Sequence, residues 1–163
     1  MSVSCDQKML DVLKRLTKGK EPIRNFTTKL EDDFKYNCWN FTSVINGWED
    51  RLHWQGQPRI MEKYLNRYTR VVGLGEMQEG DVVVYRDRNN ILTHTAIICK
   101  DGEKLQIIHK AGDNPLEIAD FETYYGKPHS IRRVCTYSTT FIDPYQIDPR
   151  QECIIPVQPY SNL

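Results

Sequence analysis

One cysteine and two histidines are the residues of this sequence whose types and order could perform covalent chemistry. Cys38 follows Asn37, a good N-cap residue, so we expect the cysteine in the first turn of a helix. Backbone N–H groups and the helix dipole favour a thiolate there, which would lower the pKa of Cys38 from about 8.5 toward neutrality. His94 and His109 lie in two later apolar segments. A thiol, a base and a group that orients the base are the parts needed for acyl transfer through a thioester.

The two histidines are expected to have different roles. His94 would be the base, which takes the Cys38 proton and later protonates a leaving amine, and His109 would hold the His94 ring through its second nitrogen. The predicted catalytic set is therefore Cys38, His94 and His109. Asp113 and Asp120 follow within reach of the same loop, and both stay open as alternatives to His109.

The other histidines and cysteines have no comparable motif around them. His53 lies in a charged segment and His129 follows a proline. The remaining cysteines are Cys5, Cys99, Cys135 and Cys153. Five widely spaced cysteines without a Cys-x-x-Cys pair predict neither a disulfide framework nor a zinc site, so we expect reduced thiols. The sequence implies no metal and no other cofactor.

A helix is needed to position Cys38. The residues that follow it have apolar side chains at helical spacing, and Gly47 weakens the pattern only near its far end. Residues 6–16 have the pattern of a short amphipathic helix, and residues 17–33 are expected to form a loop. After the cysteine, Pro58 suits the first position of another helix that runs to about Tyr68.

Short strands are needed to position the two histidines. Apolar, β-branched segments over 82–86, 92–99 and 104–109 are separated by turn sequences, which predicts an antiparallel meander. Residues 118–125 are expected to form one or two helical turns, and 130–137 a fourth strand. The fold class predicted is α+β, with N-terminal helices packed on a central antiparallel sheet of about four to six strands.

Length and composition predict a single domain over residues 1–163. Lysine plus arginine and aspartate plus glutamate both total 22, so no net charge favours nucleic acid or a membrane surface as a partner. No apolar run is long enough to span a bilayer and no signal peptide is visible, which predicts synthesis in the cytoplasm, with any export by a non-classical route. We expect a catalytic body over about 34–137 and a proline-rich tail over 138–163, which could cover the site.

The order of the motifs resembles the NlpC/P60 superfamily of papain-like cysteine peptidases and amidases. Its elements are Asn37-Cys38, a Glu79-Gly80-Asp81 lead into a strand, Thr93-His94 on the next strand, and a third polar residue, here His109, on the strand after that. The resemblance covers roughly residues 34–112. It implies a papain-like fold with Cys38 as nucleophile, His94 as base and His109 as orienting residue.

The chain also differs from that family. Members that act on peptidoglycan usually read Asp-Cys-Ser-Gly and Ser-His-Val-Gly, whereas this chain has Asn-Cys-Trp-Asn and Thr-His-Thr-Ala. Tyr36 and Trp39, which flank the cysteine, are the predicted substrate-binding residues. The Cys38 N–H is the expected oxyanion donor, with Tyr36 as a candidate for the second.

The leading hypothesis is a cysteine hydrolase that cleaves a peptide or amide bond through a Cys38 thioester. Its substrate could be a cell-wall peptide, and the protein could act as a toxin or effector with an inhibitor or immunity protein as partner. One alternative keeps the thioester but transfers the acyl group, as a thiol acyltransferase or deamidase. The other is a non-catalytic binding or immunity module on the same scaffold.

Overall fold

The computed structural model describes residues 3–18, 36–49, 57–112, 114–122 and 127–135. Within these residues the protein is α+β, with three α-helices and a six-stranded sheet. The helices are α1 (Val3–Thr17), α2 (Cys38–Ile45) and α3 (Pro58–Tyr68). The strands are β1 (Thr69–Val72), β2 (Val82–Arg86), β3 (Leu92–Asp101), β4 (Lys104–Lys110), β5 (Leu116–Asp120) and β6 (Ser130–Val134). A short 3-10 helix spans Leu74–Glu76.

The sheet has the order β1-β6-β2-β3-β4-β5, and each neighbouring pair is antiparallel. Its centre is the predicted meander β2-β3-β4, joined by tight turns with Asn90 and Gly102 at positive φ. This confirms the predicted α+β class and the antiparallel sheet. The predicted proline-rich tail over 138–163 lies outside the described residues, as does most of the loop predicted over 17–33, whose first residue, Thr17, belongs to α1.

Two strands differ from the sequence predictions. Residues 118–125 were expected to be helical, and this prediction is wrong for residues 118–120, which belong to β5. Here the backbone of β4 offers an unoccupied edge, and β5 pairs with it from Gln106 to Lys110. The unpredicted strand β1 continues directly from α3, whose end is marked by the Thr69 hydroxyl donating to the Leu65 carbonyl at 2.6 Å.

Side chains alternate between two faces of the sheet, and each face has its own core. One face packs against α1 and α2 through a cluster that includes Ile97, Cys99 and Ile108. The opposite face carries a second cluster, which includes Ala96, Ile98 and Ile107. The third cluster surrounds α3, where Trp48, Tyr64 and Tyr68 stack with ring centroids 5.6 to 6.3 Å apart.

The Glu79-Gly80-Asp81 segment has a structural role at the start of β2. Gly80 has a φ of +97°, a conformation that favours glycine. The buried Asp81 carboxylate accepts the Gln78 N–H at 2.8 Å and pairs with the Arg133 guanidinium at 3.0 Å. This segment therefore fixes the entry to β2 and ties it to β6, at the opposite end of α2 from Cys38. A cavity of about 150 Å³ lies at that same end, beside Asn46 and Arg133.

Candidate active site

Cys38 is the first residue of α2, as the sequence predicts. The preceding Asn37 has extended backbone angles, and its side-chain oxygen accepts the N–H of Asn40 at 3.0 Å. The helix ends at Ile45, and Gly47 follows with a φ of +74°. The short helix therefore presents its N-terminal backbone groups, with Cys38, to the sheet.

The Cys38 sulfur lies where β3 and β4 separate. Ile98 exchanges two backbone hydrogen bonds of 2.9 Å with the Gly80-Asp81 segment, so its peptide groups point toward β2. Because peptide groups alternate in direction along an antiparallel strand, the N–H of Thr95 points toward the β4 side. The described pairing with β4 begins only at Ile97, and the Thr95 backbone N–H instead acts on the Cys38 thiol, whose pKa it lowers. The thiol thus lies near a stretch of β3 for which the structure describes no pairing with β4.

Two hydroxyl groups hold the start of α2 against β3. Thr95 and Thr42 share a buried hydrogen bond of 2.9 Å between their hydroxyl oxygens. The Thr95 hydroxyl also lies 3.3 Å from the Cys38 carbonyl oxygen, to which it donates. The Thr95 side chain therefore faces α2, and its hydroxyl holds the backbone of Cys38 against β3.

His94 and His109 are brought together on adjacent strands. His94 Nε2 and His109 Nδ1 are 2.7 Å apart, and both rings are buried. The rings meet edge to face, with centroids 4.9 Å apart. The pairing that the sequence predicts for these two side chains is therefore present in the structure.

A third side chain, which the sequence analysis missed, continues this row. Glu117 lies directly opposite His109 in the β4-β5 register, and its Oε1 is 3.0 Å from His109 Nε2. Its side chain is 44% exposed, whereas that of His109 is fully buried. The alternation of apolar and polar residues after Pro115 was the available signal, but it requires residues 116–120 to be read as a strand.

The Cys38 thiol and the side chains of His94 and His109 lie at different positions relative to the sheet. His94 pairs with Tyr85 across β2-β3, with ring centroids 5.7 Å apart, so its side chain lies on the face opposite the Thr95 side chain. The thiol meets the strand at the peptide group between His94 and Thr95. Among the residues that the structure describes, no hydrogen bond joins the Cys38 sulfur to the His94 ring.

Burial dominates the protonation of both groups. It raises the pKa of Cys38 to about 11, against the smaller lowering effects of backbone N–H groups and of Lys110. The expected lowering of the Cys38 pKa toward neutrality is therefore wrong, because desolvation outweighs the helix terminus. Burial, with a smaller effect of His109, lowers the pKa of His94 to about 3. At neutral pH the two groups are a neutral thiol and a neutral imidazole.

The pKa of His109 is also lowered by burial, although Glu117 acts in the opposite direction. Next to it in sequence, Lys110 is a buried cation that the sequence analysis did not single out. Its Nζ donates to the Gly112 carbonyl at 2.5 Å and lies 5.4 Å from the centroid of the Tyr36 ring. Its charge favours the ionised form of Cys38.

The predicted substrate-binding residues lie on either side of Cys38 in different packing environments. Tyr36 is buried in the core beneath α2, with its ring centroid 6.4 Å from that of Phe41. Trp39 is half-buried and packs against the cluster around α3. Tyr36 therefore contributes to the support of Cys38, and Trp39 is the more accessible of the two.

Of the remaining candidates, Asp120 and His129 are described, and neither is part of the row. Asp120 lies on β5 opposite Gln106, where it pairs with Lys104 at 3.2 Å. His129 is exposed, and desolvation lowers its pKa, with further lowering by Arg86 and Arg132. Asp113 and His53 lie outside the described residues.

The comparisons with known proteins give no relatives. No family model matches the chain, and no curated protein or solved structure matches it. The described residues contain no group of three or more histidine, cysteine or carboxylate side chains that could hold a metal ion. None of the described helices has the length and apolar character needed to cross a bilayer.

The cysteines differ in state. Cys38 and Cys99 are free thiols, whereas Cys135 is bonded in a disulfide. The expectation of reduced thiols is therefore wrong for Cys135. It stands next to β6, where its backbone N–H donates to the Tyr68 carbonyl at 2.8 Å.

Proposed function

We propose that this protein is a cysteine hydrolase that cleaves a peptide or amide bond through a thioester on Cys38, on a papain-like scaffold of the NlpC/P60 kind. The observation that carries the proposal is the buried contact of 2.7 Å between His94 on β3 and His109 on β4. The Cys38 thiol lies against β3, where it is affected by the backbone of Thr95, the residue that follows His94 in sequence. The order of nucleophile on a helix start, base on one strand and orienting residue on the next supports the scaffold assignment.

The protonation states favour a general-base mechanism over a preformed ion pair. Because the thiol is neutral, His94 takes its proton as the sulfur attacks the substrate carbonyl. A carbon–sulfur bond forms, the carbon–nitrogen bond breaks, and the amine leaves with the proton held by His94. Water, deprotonated by His94, then hydrolyses the thioester and restores the thiol.

The start of α2 supplies backbone donors for the oxyanion that forms during attack. The proposal requires the thiol and the His94 ring to come into contact on substrate binding, because no hydrogen bond joins them among the described residues; catalytic hydrogen bonds are often longer or misaligned in an enzyme without its substrate. Substrate would reach Cys38 past Trp39, the half-buried neighbour. A side chain of that size beside the nucleophile favours peptides or amides other than the stem peptide accepted by NlpC/P60 members that have Ser-Gly after the cysteine. A toxin or effector with an immunity protein as partner fits this chemistry.

An activated ester tests the nucleophile without knowledge of the natural substrate. Attack by Cys38 on 4-nitrophenyl acetate would release nitrophenolate and leave one acetyl group on the cysteine. Mass spectrometry of the peptide that contains Cys38 measures this acetylation. His94→Ala should slow this acetylation by about 10² to 10⁴-fold. Cys99→Ala, which removes the other described free thiol, should leave it unchanged. Acetylation of Cys38 at the same rate with and without His94 would exclude the proposal.

Turnover of a real amide is tested with peptide libraries and peptidoglycan fragments, analysed by mass spectrometry. Cys38→Ala should abolish every cleavage that the unmodified protein performs, while its circular dichroism and thermal melting stay native-like. Cleavage that persists in Cys38→Ala would show that another group is the nucleophile. Added amines separate hydrolysis from transfer, because an acyltransferase or deamidase-type enzyme forms the amine adduct at the expense of the free acid.

A specific observation favours a second function, a non-catalytic binding or immunity module. Cys38 is only 5% exposed, burial raises its pKa to about 11, and the groups that lower this pKa are backbone groups and Lys110, not an imidazole. In a binding module the buried thiol and histidines would serve as core residues. This alternative predicts that Cys38 is acetylated no faster than Cys99.

A further inference from the structure

Three polar side chains from neighbouring strands form a continuous row. His94 on β3 contacts His109 on β4 at 2.7 Å, and His109 contacts Glu117 on β5 at 3.0 Å. The contacts use both ring nitrogens of His109, Nδ1 toward His94 and Nε2 toward Glu117. Since the His109 side chain is fully buried, water does not compete for these two positions.

The direction of the row follows from hydrogen-bonding capacity. A carboxylate accepts hydrogen bonds and has no proton to donate, so the hydrogen between Glu117 and His109 is on His109 Nε2. A neutral imidazole carries one ring proton, which leaves His109 Nδ1 as an acceptor. The hydrogen between the two rings must then be on His94 Nε2. The other nitrogen of His94, Nδ1, consequently has the lone pair that a base requires.

We propose that Glu117 is a positioning residue: acting through His109, it holds His94 in the tautomer whose Nδ1 can accept the Cys38 proton. This inference rests on the proposed hydrolase function. No proton moves along the row during the reaction, and Glu117 keeps its charge throughout. His94 gains the thiol proton at Nδ1, becomes an imidazolium, and returns the proton to the leaving amine. The row stabilises that cation, with His109 as the nearest acceptor and the carboxylate behind it.

Asp120 provides a matched comparison on the same strand. It is also a partly exposed carboxylate with one ionic partner, Lys104 at 3.2 Å, but its partner is an exposed lysine. An exposed ion pair of this kind contributes little to stability. Glu117 differs from Asp120 in its partner, a fully buried ring that contacts the base, and that difference gives it a role in positioning.

The tautomers can be read by nuclear magnetic resonance on protein labelled with ¹⁵N-histidine. Long-range ¹H–¹⁵N spectra at neutral pH distinguish a protonated Nε2 from a protonated Nδ1, and His53→Gln and His129→Gln assign the remaining signals by elimination. We expect Nε2–H in both His94 and His109. Glu117→Ala should shift both rings toward mixed tautomers. Glu117→Gln, whose amide oxygen can still accept from His109, should preserve them, as should Asp120→Asn.

The kinetic readout is the acetylation of Cys38 by 4-nitrophenyl acetate across pH. Glu117→Ala should slow it at least about tenfold, Glu117→Gln should recover most of the rate, and Asp120→Asn should match the unmodified protein. An Nδ1–H tautomer of His109 in the unmodified protein, or unchanged tautomers in Glu117→Ala, would overturn the role of Glu117 even if Cys38 is acetylated. The expected tautomers without any His94-dependent acetylation of Cys38 would instead overturn the proposed function, and with it the catalytic purpose of the row.

Discussion

Two free thiols, Cys38 and Cys99, differ in how they lie relative to the pairing of β3 with β4. Cys99 belongs to the closed part of the β3-β4 ladder, opposite Gln106, and is fully enclosed. Cys38 lies where that ladder opens, against the N–H of Thr95. Burial raises both pKa values, to about 11 for Cys38 and about 12 for Cys99. Desolvation therefore does not distinguish the proposed nucleophile from a core cysteine.

What distinguishes them is the set of polar groups around each sulfur. After burial, the largest effect on Cys99 comes from the Glu79 carboxylate, which raises its pKa further. The corresponding effects on Cys38 come from backbone N–H groups and Lys110, which lower it. Where the pairing of β3 with β4 ends, backbone N–H groups and Lys110 favour ionisation of one thiol, whereas within the continuous pairing Glu79 opposes ionisation of the other. The following changes test this contrast.

The largest expected effect is the pH dependence of alkylation. Between pH 7 and pH 10 the rate at Cys38 should rise about tenfold per pH unit, because only the thiolate reacts and its pKa is about 11. Cys99 should react more slowly at every pH, since its pKa is higher and it is enclosed. Iodoacetamide labelling, quantified by peptide mass spectrometry, measures both rates in one sample. A rate at Cys38 that is already constant below pH 8 would contradict this and indicate a thiolate–imidazolium pair.

The second effect is a loss of folding stability in acid that comes from the buried His94. Burial lowers the pKa of His94 to about 3 from 6.5, so the unfolded chain binds a proton more readily than the folded one. The contribution of neutral His94 is fully present above pH 6.5 and is lost as pH falls toward 3, by up to about 5 kcal/mol. Urea unfolding at several pH values should show a shallower acid dependence for His94→Gln, and an unchanged one for Cys99→Ala.

The third effect appears at alkaline pH. A folded-state pKa of about 11 against 9.0 means that Cys38 favours folding below pH 9, and that this contribution decreases as pH rises to 11. The loss should be about 2 to 3 kcal/mol. Comparison of unfolding free energies of the unmodified protein and Cys38→Ala across this interval isolates the thiol from other alkaline titrations. Parallel curves for the two proteins would contradict the assigned burial.

The smallest effect comes from the hydroxyl pair between Thr42 and Thr95. Thr95→Val leaves the buried Thr42 hydroxyl without this partner and should cost about 1 to 2 kcal/mol in unfolding free energy. It should also change the alkylation rate of Cys38 without changing that of Cys99. Replacement of both threonines by valine should recover part of the stability, because no buried hydroxyl is then left unpaired. Equal changes at both thiols would show that the variant loosens the whole sheet.

The sequence predicted the features that depend on neighbouring residues. Asn37 caps α2 through a side chain three residues from its partner, and the meander β2-β3-β4 follows from apolar segments separated by turn dipeptides. The contact between His94 and His109 followed from the same local pattern, since their strands are joined by a tight turn. Short-range signals of this kind are present in the chain itself.

Features that depend on distant packing were missed or predicted wrongly. The pKa of Cys38 depends on how deeply α2 is buried, which no helix-start signal specifies. Glu117 acquires its position only when β5 adds to the edge of β4, and an isolated reading of residues 118–125 gave a helix instead. The four-residue strand β1 pairs with β6, whose partner residues are 59 to 65 positions away along the chain.

The insertion of β6 between β1 and β2 affects how the chain assembles during synthesis. β1 precedes β2 directly in sequence, yet the two strands are separated in the sheet by the last described strand. A ribosome that has released residues only as far as β5 would therefore expose β1 with no neighbour and β2 with an open edge, while the strands that carry His94, His109 and Glu117 could already pair locally. The histidine row can thus be assembled before the sheet is sealed, and the unpaired edges make the nascent chain most prone to aggregation at that stage.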